Sequence, residues 1–380
     1  MSYWRPADAA AVERARRICS RPSTSFHEQA VARVLTEWAD GSGIPWRRDA
    51  WGNLHVGPAQ PRGGRAARGR ALLFTAHMDH PGFVVSRSRG RRAVCRWFGG
   101  VSASYFKGSA VRVERWAGDR ILERIRGRIT RTERGEGGRV GTLRVLFEAP
   151  VHPGEIGTWD VVSFRRSGRH LWTRAADDLM GCAAITLALD RIRTIRGAAP
   201  VGAIFTRAEE VGLVGATALA REGGIPRHAL VIVLETSKEI PRARQGMGPV
   251  VRVGDLRSVF DPGASHFLHA TAQRLAAENR SFRYQRCLMD GGTCEASSFG
   301  LFGSTAGALA LPLVNYHNMG PRKIAAERID LDDLRGVVAL LAAAAVEAAR
   351  LPSRGPLPPG DSDGLLKSYR RHRRALGPRP

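Results

Sequence analysis

Ala71-Leu72-Leu73-Phe74-Thr75-Ala76-His77-Met78-Asp79-His80-Pro81-Gly82 decides the fold. The short apolar run from Ala71 to Ala76 has the length and character of a strand buried on both faces of a parallel sheet. It stops at a histidine, with an aspartate two residues on and a Pro-Gly turn behind. Such a strand needs sheet neighbours, and the downstream sequence supplies them. Val201 to Phe205 and Ala229 to Leu234 are further short apolar runs, and Thr305 to Val314 contains another. Helical patterns lie among them: Gly181 to Ile195, Leu213 to Glu222, Pro262 to Glu278 and an Ala-rich stretch from Leu331 to Arg350. This alternation predicts an α/β fold, with a mostly parallel or mixed sheet flanked by helices.

Upstream, residues 7–40 read as two helices. The second, His27 to Asp40, carries Ala30, Val31, Val34, Leu35 and Trp38 at helical spacing and ends at the glycine break Gly41–Gly43. Residues 58–70, rich in Pro, Gly and Arg, read as a loop. After Gly82 the pattern changes to short alternating segments such as Val111-Arg112-Val113 and Leu143-Arg144-Val145-Leu146-Phe147. These predict an inserted small all-β domain, barrel or sandwich. The expected division is a first part of a catalytic α/β domain (1–82), the β insertion (83–172), the second part of the α/β domain (173–350) and a basic tail (351–380) expected to be poorly ordered.

Composition narrows the class. Of 380 residues, 43% are hydrophobic and 25% charged, as in an ordinary globular protein. No apolar run reaches the length of a membrane span, and the first residues form no hydrophobic leader, so a cytoplasmic protein is expected. Cys19, Cys95, Cys182, Cys287 and Cys294 are few, odd in number and never spaced as a metal knuckle, which argues against a disulfide framework or a thiolate zinc site. The net charge of +24 invites a nucleic-acid reading. Yet the lysines are only Lys107, Lys238, Lys323 and Lys367. The arginines are spread along the chain rather than gathered with aromatics, and charge alone gives only sequence-blind affinity. No specific nucleic-acid partner is expected.

The acids and histidines fall where chemistry is placed in such folds. Each apolar run leads to a metal-capable residue: His77 after the first, Glu209 and Glu210 after the second, Glu235 after the third, His317 beyond the fourth. Asp177 and Asp178 precede the helix that starts near Gly181. In open α/β sheets the ligand crevice lies outside the carboxyl ends of the strands, so these residues share one rim. Two imidazoles with several carboxylates suit Zn²⁺, Co²⁺ or Mn²⁺. The carboxylates are too many for one tetrahedral ion. Two divalent ions sharing a carboxylate would use them, with one acid left free as a base. Asp177 and Asp178 would also suit helix capping, and Glu235 a salt bridge. His80, His152, His266 and His269 read as structural or surface residues, and the Gly291-Gly292 pair as a close backbone approach.

The ordered motifs resemble those of co-catalytic metalloaminopeptidases of the glutamyl-aminopeptidase or TET-peptidase type, over roughly residues 5–350. They are His77-Met78-Asp79, Gly157-Thr158-Trp159-Asp160-Val161-Val162, Ala176-Asp177-Asp178-Leu179-Met180-Gly181, Glu209-Glu210-Val211-Gly212-Leu213 with Gly215-Ala216, Gly291-Gly292-Thr293, and Tyr316-His317 before Glu327. The resemblance implies a zinc-exopeptidase fold and two divalent ions per subunit. His77 and Glu235 would hold the first ion, Glu210 and His317 the second, and Asp177 would bridge them with Asp178 as support. Asp79 would orient His77, and Glu209 would be the general base. It further implies peptide substrates with a free N-terminus and a homo-oligomer. Departures are Glu235 where the family usually has Asp, His80 where close relatives have Glu, and Cys294-Glu295 after Gly291-Gly292-Thr293 in place of Asp. An amidohydrolase or deacylase of N-acyl amino acids would need a similar ligand set. A metal-free scaffold or RNA-associated protein would not.

Overall fold

The computed structural model describes residues 8–59, 69–360 and 363–372. Helices α1 (Asp8–Cys19) and α2 (Gln29–Gly41) come first, then strands β1 (Trp46–Arg48), β2 (Leu54–Ala59) and β3 (Leu72–His77). Next come β4 (Gly82–Arg89), β5 (Arg92–Phe98), β6 (Ala110–Ala117), β7 (Arg120–Arg134), β8 (Val140–Phe147) and β9 (Ile156–Trp159), followed by β10 (Phe164–Ser167) and β11 (His170–Thr173). The chain continues through α3 (Leu179–Ile192), β12 (Val201–Thr206), α4 (Val214–Arg221), β13 (Leu230–Lys238), β14 (Val250–Arg252), α5 (Pro262–Glu278) and β15 (Gln285–Cys287). It ends with α6 (Glu295–Leu301), β16 (Thr305–Leu313), β17 (Glu327–Asp330), α7 (Leu331–Ala348) and α8 (Asp363–His372).

The α/β expectation holds. The main sheet has eight strands in the order β1-β2-β12-β3-β13-β16-β14-β15. The centre, β12-β3-β13-β16, is parallel, and β2 and β14 flank it antiparallel. Every residue of β3 is buried, as its continuous apolar run requires. One sheet face packs against α3, α5 and α7 through Phe74, Phe205, Leu234 and Leu309. Burying such side chains contributes about 1.5–3 kcal/mol each. The other face packs Val231, Val233 and Ala308 against Phe299 and Leu219. Gly181 in α3 is required by close approach, since a Cβ there would lie 2.4 Å from the Asp178 carboxylate.

Strands β4 to β9 close into a barrel ordered β4-β5-β8-β7-β6-β9. Its interior holds Trp97, Phe106 and Trp159 within 4.8–5.3 Å of one another, centroid to centroid. Gly157 leaves room for Phe83, whose ring a Cβ would meet at 2.0 Å. β10 and β11 are outside the barrel and form a small sheet with β17. β13 is longer than the apolar run suggests: Glu235 lies within it, and Thr236, Ser237 and Lys238 continue the pairing with β16. In the tail read as poorly ordered, Asp363–His372 is helical. The rest of that expectation, for residues 361–362 and 373–380, lies outside the described residues, as does residues 60–68 of the loop read over 58–70. Among the described residues no helix is long and apolar enough to cross a membrane.

Candidate metal centre

Parallel pairing sets the rim. Thr206 at the end of β12 is opposite His77 at the end of β3, so Glu209 and Glu210 follow beside the histidine. Two strands of the same sheet bring Glu235 and, past β16, the turn at Tyr316–Asn318 to the same end. Seven residues singled out in the sequence thus meet: His77, Asp79, Asp177, Glu209, Glu210, Glu235 and His317.

Two ligand groups form. In one, single donor atoms of His77, Asp177 and Glu235 lie within 4.8 Å of one another; in the other, those of Asp177, Glu210 and His317 do. Asp177 belongs to both, one oxygen to each side: Oδ1 is 3.5 Å from His77 Nε2 and Oδ2 is 3.3 Å from His317 Nε2. Glu235 Oε1 is 3.8 Å from His77 Nε2, and Glu210 Oε1 is 3.1 Å from His317 Nε2. Glu209 is in neither group. Its Oε2 is 3.8 Å from His77 Nε2, and its side chain is 11% exposed, against 1–10% for the others.

The fit to cations is visible in atoms left without partners. His77 Nε2, Asp177 Oδ1, Glu210 Oε1, Glu235 Oε2 and His317 Nε2 are all buried, and none has a hydrogen bond of acceptable geometry. Buried polar atoms are seldom left so. On the opposite ring edges both histidines face oxygen: His77 Nδ1 is 3.1 Å from the Asp79 carbonyl, and His317 Nδ1 is 2.6 Å from that of Gly100. With Nδ1 donating, each Nε2 is left as a lone pair, the arrangement of metal-binding imidazoles. Charge points the same way. Burial, reinforced by Glu235, Glu210 and Asp79 against the pull of His77, pushes the Glu209 carboxyl well above the ordinary glutamate range. Burial also raises Glu210 and Glu235. Burial acts on Asp177 in the same sense, but His317 and His77 outweigh it and hold that carboxyl low. Two divalent cations would relieve this crowding, and nitrogen and oxygen donors of this kind suit them.

Supporting contacts fix the frame. The Asp79 carboxylate is 3.5 Å from His77 Nδ1, and its nearer partners are Ser25 Oγ at 2.6 Å and the N–H groups of Glu209 and Glu210 at 3.0 and 3.2 Å. It therefore anchors the acidic pair as much as the imidazole. Asp178 precedes α3 but makes no capping bond. Its Oδ1 accepts from the N–H and hydroxyl of Thr236 at 2.9 and 2.7 Å. The Asp177–Asp178 peptide bond is cis. His80 bridges the Asp177 carbonyl and Asn318 Oδ1, the structural role its sequence reading gave. Sequence reasoning gave Glu327 no role. Fully buried at the start of β17, it accepts from the N–H groups of Ala176, Asp177 and His317 at 2.6, 3.1 and 2.8 Å.

A family model for M42 glutamyl aminopeptidase matches residues 146–340. The match takes in just over half of the chain, which belongs to that family and is a hydrolase of peptide bonds. No match is found among curated proteins. Solved structures share the fold. The TET1 peptidase of Pyrococcus horikoshii, described as assembling into a tetrahedron or a large octahedral shell, is 24% identical, with a TM-score of 0.69 over 89% of this chain and 99% of that one. An aminopeptidase of the archaeon Desulfurococcus kamchatkensis is 23% identical, with a TM-score of 0.70 over 90% and 95%. A TET aminopeptidase of a marine-sediment Thaumarchaeota archaeon is 19% identical, with a TM-score of 0.71 over 90% and 98%.

Proposed function

We propose that this chain is a two-metal aminopeptidase, removing residues from peptides with a free N-terminus. The observation that carries the reading is the pair of buried ligand groups sharing Asp177, with their donor atoms unpartnered. His77, Asp177 and Glu235 would hold one ion, and Asp177, Glu210 and His317 the other. Bound there, two divalent ions, Zn²⁺ with Co²⁺ or Mn²⁺ as alternatives, would polarise the scissile carbonyl and acidify the attacking water.

The protein's own part is proton transfer and alignment. Glu209 stands beside both groups without belonging to either, so its carboxylate is free to take the water proton and hand it to the leaving amine. Asp79 holds the backbone of Glu209 and Glu210, keeping base and ligand in register. Fold likeness to the TET1 peptidase supports a homo-oligomer, which light scattering tests.

Glu209→Gln tests the base. The variant is expected to keep the wild-type metal content and to lose about 10²–10⁴-fold in turnover on aminoacyl anilides. Turnover near wild type would remove Glu209 from the role. A parallel panel of N-acyl amino acids separates this reading from a deacylase of similar ligand set.

A further inference from the structure

Phe26 has a left-handed backbone, with φ of 70°. For a bulky aromatic this is a true outlier, costing on the order of 1–3 kcal/mol and persisting only where the surroundings impose it. They do so here. The Phe26 N–H donates to Glu28 Oε1 at 2.8 Å, and its carbonyl accepts from Arg207 at 2.8 Å. Arg207 in turn pairs with Glu28 Oε2 at 2.7 Å, and Glu28 Oε1 also receives the Ala208 N–H at 3.1 Å. Glu28 is buried. A closed set of bonds thus holds an aromatic residue where glycine would sit without strain.

The ring is not used by the core. It is 43% exposed and stands edge-on to Phe98, with centroids 5.8 Å apart at 70°. The Arg96 guanidinium is 5.0 Å from the Phe98 ring centroid. Both aromatics adjoin the metal centre. Ser25, next to Phe26, donates to Asp79, which holds the N–H groups of Glu209 and Glu210. Phe98 is two residues before Gly100, whose carbonyl faces His317 Nδ1. The pair therefore spans the loop that carries the base and the loop that steadies a ligand histidine.

We infer that Phe26 and Phe98 form the apolar wall of a side-chain subsite at the mouth of the metal centre, taking a large aliphatic or aromatic side chain of the N-terminal residue of the peptide. This rests on the aminopeptidase reading. An exposed aromatic held against its own backbone preference is retained for what it contacts, and continuity with Asp79 and Gly100 makes that contact the substrate. The subsite selects phenylalanyl and leucyl over alanyl and glutamyl ends.

Phe26→Gly and Phe26→Asn test this, because both residues accept the left-handed conformation. The expected result is a fall of about tenfold or more in kcat/KM on phenylalanyl and leucyl anilides, a change within about twofold on alanyl anilide, and a melting temperature unchanged or raised. An equal fall on all substrates would overturn the subsite, as would a wild-type preference for glutamyl anilide. So would a lowered melting temperature with selectivity intact, which would make the ring a packing element. A wild type inactive on every aminoacyl anilide would overturn the aminopeptidase reading. The melting arm would still read the ring, since a rise in Phe26→Gly supports a side chain kept for contact and a fall makes it structural.

Discussion

One carboxylate ties Asp177 to His317. Glu327 Oε2 accepts the Asp177 N–H at 3.1 Å and Oε1 accepts the His317 N–H at 2.8 Å. The shared ligand and a terminal ligand, 140 positions apart in sequence, are thereby held by one side chain of the short strand β17. Partners of this kind set where ligand atoms can stand, and their loss typically weakens metal binding 10–100-fold. Glu327→Gln keeps one acceptor oxygen and puts an amide in place of the other. It is expected to weaken binding at the His317 side by about that factor, with turnover restored by excess metal. Titration of the apoprotein with Zn²⁺ reads the affinity directly. Unchanged affinity with reduced turnover would show that the bonds serve something other than ligand placement.

How much of this could be read from sequence depended on how local the signal was. β3 and β12 announce themselves as apolar runs, so His77, Glu209 and Glu210 were placed at strand ends from sequence alone. Pro262–Glu278 was legible at both ends because Pro sits in the first turn and Asp261 caps it, accepting from the Ala264 N–H. β13 was cut short because Thr236, Ser237 and Lys238 are polar, yet the strand continues through pairing with β16 that no local pattern reveals. β17 is four residues with two acids, and its identity as a strand comes from partners β11 and Val314, far away in the chain. Glu327 was hidden for that reason. The Phe26 conformation was hidden too, because the bonds that impose it come from Arg207, 181 positions on.

The crowding of carboxylates predicts the response to chelation. Stripping divalent ions leaves Glu209, Glu210 and Glu235 facing one another in a buried site, where burial already disfavours their charge. The apoprotein is expected to melt several degrees lower at pH 7.5, with recovery on adding Zn²⁺. Ligand at a hundred times its dissociation constant contributes about 2.7 kcal/mol. Glu235→Ala separates the two ions. It removes a ligand only from the His77 group, so metal analysis is expected to find one tightly held ion instead of two. Two ions retained in that variant would take Glu235 out of the ligand set.

Asp333, remote from the rim, predicts a pH effect on stability of its own. Its carboxylate, in the first turn of α7, accepts the N–H groups of Gly246 and Gly248, each at 2.7 Å. Burial nevertheless outweighs these bonds and raises its pKa to about 7 from the ordinary 3.8. Below about pH 4 the group is protonated in both folded and unfolded chains. Between there and pH 7 the unfolded chain releases the proton and the folded chain keeps it, so stability falls as pH rises through this window. Asp333→Asn cannot ionise. It loses one acceptor and starts less stable, but its deficit relative to wild type is expected to shrink as pH rises from 5 to 8. Denaturant melts of both proteins across that range measure the difference. A constant or growing deficit would mean that the two backbone bonds, not burial, govern the charge of Asp333 in the fold.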